Sequence, residues 1–132
     1  MKVECPLGDI VDRVTILLIK AEKISNPDAV AHVKRELQTI QAAWADEGHP
    51  PMESLADWTA LREVNGALWV IEDDLRDMER DGEFGDRFVQ KARAVYFTND
   101  KRAALKKSIN QALGSRLVEQ KSYTDYTNGQ NP

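Results

Sequence analysis

The sequence predicts an all-α antiparallel bundle of four main helices, in which the third and fourth form a long hairpin. Apolar residues recur at steps of three and four along most of the chain, the period of one helix face. No stretch alternates with period two for more than a few residues, so no sheet is expected. Each break in the helical rhythm is a short Pro- or Gly-bearing turn, and no internal repeat or linker divides the chain.

In the first helix Leu7, Ile10, Val14, Leu17, Ala21 and Ile24 form the stripe, which predicts a helix over about Gly8–Ile24. Asp9 suits its positive end, and Lys20 and Lys23 its negative end. Asn26 then offers an N-cap with Pro27 at the first helical position. Val30, Val33, Leu37, Ile40 and Trp44 carry the second helix to about Ala45. Gly48-His49-Pro50-Pro51 must break it, because successive prolines cannot sit inside a helix.

The third helix is expected to start near Glu53 or Ser54 and to reach Asp81, with Leu61, Val64, Leu68, Ile71, Leu75 and Met78 inward. Gly82-Glu83-Phe84-Gly85 makes a short turn between antiparallel neighbours. The fourth helix runs over about Asp86–Leu113, with Phe88, Ala92, Val95, Ile109 and Leu113 inward and Gly114 as its stop. Leu117 and Val118 are assigned one short turn. Residues 1–123 thus form a single helical domain, and 124–132 a mobile C-terminal tail. Two long helices beside two short ones leave part of the hairpin uncovered, which predicts a homodimer.

The 132 residues suffice for one domain and are too few for two. Apolar residues at 42% and charged residues at 30% fit a globular chain rather than a disordered one. The longest apolar run, Val14–Ile19, ends at Lys20 and cannot span a membrane. The first residues lack the apolar core of a secretory signal, so a cytoplasmic home is expected. The single Cys5 excludes an internal disulfide, and two histidines, His32 and His49, are too few for a His-rich metal site. No metal and no cofactor are therefore assigned.

Gly8-Asp9, Asp12–Leu17, Lys20, Leu68-Trp69, Ile71–Asp73, Tyr96, Thr98–Asp100, Arg102-Ala103, Ile109-Asn110, Gly114-Ser115 and Glu119–Tyr123 carry a resemblance. Together they resemble a family of short all-helical bacterial and phage proteins catalogued only as a domain of unknown function. The resemblance covers about Gly8–Tyr123 and implies one whole-chain domain. It supplies no catalytic residue, although its members lie near sugar-modifying and glycosyltransferase genes.

Phosphate-binding glycine loops and HExxH are absent. Asp9 with Asp12, and Asp74 with Asp77, are each three apart and share a helix face, as in the acidic clusters of all-α nucleoside phosphate hydrolases. A metal-dependent hydrolase using these four acids is the alternative reading; a solvated acidic face is the plainer one. Charge is uneven: Glu72–Asp86 holds eight acids and two bases, net −6, and Arg87–Lys121 nine bases and two acids, net +7. Either the two stretches face each other, or Lys101, Arg102, Lys106 and Lys107 form a site for phosphate or a sugar nucleotide. The chain's net charge of −4 argues against nucleic acid.

Polar residues that interrupt apolar stripes point to a site. The fourth helix turns polar at Asn99, Arg102 and Lys106, and Asn65, Trp69, Glu72 and Arg76 flank the stripe of the third. These residues either fix register or line a pocket. The leading expectation is a non-enzymatic dimeric module that binds a small anionic or sugar-linked ligand, or a protein partner, with no catalytic residue assigned. Its pocket is placed between helices one, three and four. Asp12, Arg13, Lys20, Glu72, Asn99 and Arg102 would be its polar lining and Tyr96 or Trp69 its stacking wall.

Overall fold

The computed structural model describes residues 1–127 and contains four α-helices: α1 (Leu7–Lys23), α2 (Pro27–Asp46), α3 (Trp58–Asp81) and α4 (Asp86–Leu113). No strand occurs among the described residues, so the all-α expectation holds. α1 is the central element and packs against α2, α3 and α4, while α3 and α4 lie along each other as the long hairpin. At 1.5 Å per residue α3 spans roughly 36 Å and α4 roughly 42 Å, against roughly 26 Å for α1.

The core gathers at one end of the bundle. Val11 and Val14 of α1, Trp44 of α2, Met52, Trp58 and Leu61 around the start of α3, and Ile109 of α4 are all buried there. Trp44 thus packs inward as its stripe predicts, and Trp58 joins it. Burying a large apolar side chain stabilises by about 1.5–3 kcal/mol, and Leu17, Ile71 and Met78 continue the burial beyond this cluster.

Helix ends follow their residues. Asn26 Oδ1 accepts from the backbone N–H groups of Asp28 and Ala29, at 2.9 and 3.1 Å. Gly82 and Gly114 close α3 and α4 in the left-handed conformation, with φ of 67° and 65°, which glycine adopts without steric penalty. α1 lacks a local cap, since Pro6 offers no side-chain acceptor. Its first amides are met from the far end of α4. Gly8 N–H donates to Asn110 Oδ1 at 2.6 Å, and Leu7 N–H to Ser115 Oγ at 3.0 Å.

Two elements depart from expectation. α3 starts at Trp58, not near Glu53, because Met52–Ser54 forms a separate 3₁₀ turn and Leu55 is extended. Trp44 explains this: its indole N–H donates to the Pro50 carbonyl at 2.7 Å, tying the loop to the core where Met52 plugs in. Leu117 and Val118 form no turn, and the chain from there to Thr124 has no regular secondary structure. Residues 124–127 stay beside α4, whereas the expected mobile tail lies outside the described residues from 128 onward.

Candidate functional site

Where α1 crosses α3 and α4, polar side chains replace the apolar core. Asp12 is buried, at 4% exposure, facing a half-buried Arg102. The guanidinium donates from Nε to Asp12 Oδ1 at 2.9 Å and from Nη2 to Oδ2 at 2.6 Å, the fork-on-fork geometry that arginine allows. Asn65 of α3, also buried, donates to Asp12 Oδ1 at 2.9 Å and to Thr15 Oγ1 at 2.8 Å. Thr15 in turn donates to the Asp12 carbonyl at 2.6 Å. The bonds from Asp12 hold Arg102 above its ordinary pKa against the opposing effect of burial.

One turn further along α4, Lys106 sits between Asp9 of α1, at 3.2 Å, and Glu119 of the C-terminal segment, at 3.1 Å. Burial pulls the ammonium down, but the two carboxylates more than offset it and hold its pKa above the usual lysine value. Lys106, then Lys121, hold the Glu119 carboxyl below its usual range. Gly8 permits this junction, because a Cβ there would stand 2.4 Å from the Lys106 backbone carbonyl oxygen.

Two open clefts flank the network. The first, of about 440 Å³, lies between α1, α3 and α4 and is lined by Ile16, Asn65, Trp69, Glu72, Asn99 and Arg102, among others. The second, of about 740 Å³, lies between α4 and the C-terminal segment. It is lined by Tyr96, Asn99, Asp100, Arg102, Lys106, Lys121, Tyr123 and Tyr126, among others. Asn99 and Arg102 face both clefts.

Trp69, Glu72, Asn99 and Arg102 therefore come together in the first cleft, with Asp12 behind Arg102. Tyr96 lines the second cleft instead. Arg13 is turned away, exposed and paired with Glu36 of α2 through Nε at 2.7 Å. Lys20, in the last turn of α1, lines neither cleft. The basic run of α4 is split, with Arg102 and Lys106 drawn inward to α1 carboxylates while Lys101 and Lys107 are exposed.

The paired acids do not converge. Asp9 and Asp12 are held by Lys106 and Arg102, whereas Asp74 pairs with Lys91 at 2.8 Å and Asp77 with Arg80 at 3.6 Å. Among the described residues no three Asp, Glu, His or Cys side chains form a group able to hold a metal ion. His49 is half-buried, with its ring 4.5 Å from that of Trp44.

The capping role of Asn110 and the second cleft leave no mark in the apolar spacing, because Asn110 is polar and lies beside the stripe that holds Ile109. Tyr123 and Tyr126 belong to a stretch without periodicity, and nothing in their spacing indicates that they fold back on α4.

Residues 1–132 match a family model described as a family of unknown function, DUF6165. No curated protein and no solved structure matches the chain.

Proposed function

The chain belongs to this family of unknown function, and from its geometry we propose a ligand-binding helical module rather than an enzyme. The ligand is a small anionic or sugar-linked molecule, seated in the cleft between α1, α3 and α4. What supports this reading is the buried Asp12–Asn65–Thr15–Arg102 network, which holds one face of an arginine rigid at the floor of an open cleft beside Trp69. A fixed cation beside an aromatic wall is the arrangement that orients a polar ring compound.

A thermal-melt series with sugar nucleotides, phosphate and Mg²⁺ plus nucleotide tests it. A ligand at one hundred times its Kd adds about 2.7 kcal/mol, or several degrees for a chain of this size. Asn99→Leu is expected to abolish the shift while the helical spectrum persists. A shift confined to Mg²⁺ plus nucleotide, with pyrophosphate release, would replace this reading by the hydrolase.

The same proposal includes a homodimer formed through the α3–α4 hairpin, in a cytoplasmic setting. Val70, Phe84 and Val89 are exposed on the hairpin. Only Ile109 and Asn110 of the 28 residues of α4 are deeply buried. The mass in solution decides the matter: a monomer ends the dimer proposal, and a dimer broken by Val89→Arg supports it. No helix among the described residues is long and apolar enough to cross a membrane.

A further inference from the structure

The larger cleft, between α4 and the C-terminal segment, differs in chemistry from the one beside Trp69. All three tyrosines of the chain, Tyr96, Tyr123 and Tyr126, line it. Tyrosine combines a large apolar face with a hydroxyl and loses little rotamer entropy on binding, so a cluster of three is a recognition surface.

Its cations are already matched. Arg102 is held by Asp12, Lys106 by Asp9 and Glu119, and Lys121 by Glu119 at 3.1 Å. With Asp100 of the lining, four carboxylates stand around three cations, so an incoming anion finds no net positive field and would have to displace a seated carboxylate. The cleft is built for a ring without charge.

Tyr126 shows what kind of ring. It packs 5.2 Å, centroid to centroid, from both Tyr96 and Phe97 in edge-on geometry. Its hydroxyl donates to Asp100 Oδ2. A tethered ring with a donor hydroxyl is thus seated on aromatic faces with a carboxylate as acceptor. Asp100 has a second oxygen, and the neighbouring Asn99 amide can both donate and accept.

We propose that the cleft between α4 and the C-terminal segment is a second binding site, for an uncharged ring compound that carries donor hydroxyls. Its ring lies against Tyr123 and Tyr96, and its hydroxyls meet Asp100 and Asn99. Sugar rings and phenols share this chemistry.

The test is a titration of the ¹⁵N-labelled full chain with three probes: neutral methyl glycosides, 4-methylphenol and inorganic phosphate. Saturable amide shifts over residues 95–103 and 121–126 are expected with a neutral probe and not with phosphate. Which neutral probe acts separates sugar from phenol. Tyr123→Ala, at a site 78% exposed and so without folding cost, is expected to weaken binding about tenfold. Asp100→Asn, which keeps an acceptor but removes the charge, should weaken it less. Phosphate shifting these amides while neutral probes leave them still would overturn the proposal, as would no shift with any neutral probe. Because Asn99 and Arg102 face both clefts, the two sites are told apart by the amides of residues 121–126, which belong to this cleft, and those of residues 65–76, which belong to the one beside Trp69.

Discussion

α3 and α4 are partners in one hairpin and bury their residues in opposite ways. α3 sends Trp58, Leu61, Asn65, Ile71 and Met78 inward along its whole length, at helical spacing. α4 is longer, yet its deeply buried pair, Ile109 and Asn110, lies in the last turns before Gly114. Its middle carries Asn99, Arg102 and Lys106, half-buried and directed at clefts or at α1 carboxylates. Packing governs α3, and polar pairing governs α4. A helix whose middle is held by charge pairs as well as apolar contact can present side chains to a ligand without surrendering the core.

The largest expected effect lies in α3. Leu61→Ala removes a fully buried side chain and should cost about 3–5 kcal/mol, read from denaturant unfolding. The matched Leu105→Ala in α4, at a half-buried position, should cost under about 2 kcal/mol. Equal losses would erase the contrast between the helices.

Asp12→Ala comes next. It strands Arg102 and leaves Asn65 with Thr15 alone, and the loss should be about 2–3 kcal/mol, less than for a fully enclosed pair because the guanidinium is partly exposed. Gly8→Ala should destabilise by about 1–3 kcal/mol, since the new methyl meets backbone rather than a yielding side chain. A neutral result in either would mean that α1 and α4 can shift apart freely.

The smaller effects are electrostatic. Lys106 and Lys121 depress the Glu119 pKa, so its contribution is present above the usual value of 4.5 and is lost as pH falls through the lower folded value. The hold of the C-terminal segment on α4 should therefore loosen in acid, visible as faster proteolysis near residue 120, and Glu119→Gln should remove that dependence. Smallest of all, Arg13→Ala breaks an exposed pair with Glu36 and should change stability by under about 0.5 kcal/mol.

Much of this was legible in the residues. Asn26-Pro27, Gly82 and Gly114 marked helix ends because capping is local chemistry, read within a few positions. The polar break in α4 was legible because it interrupts a stripe. The start of α3 was not, because the bond from Trp44 to Pro50 decides it and apolar spacing carries no trace of that bond. The bond between Asn65 and Asp12 joins positions 53 residues apart, so the sequence shows the two polar residues without showing that they meet. Arg13 and Lys20 share a face with Asp9 in the helical projection, yet the packing of α2 on α1 drew Arg13 to Glu36 instead.

The capping of α1 from the end of α4 has a consequence in time. The acceptors for its first amides, Asn110 and Ser115, lie 102 and 108 residues downstream. Contacts of such separation form late, because a long loop must close before they bring any gain. During synthesis the first turn of α1 stays open until nearly the whole of α4 has emerged. The first of these four helices to be made is thus among the last to be completed.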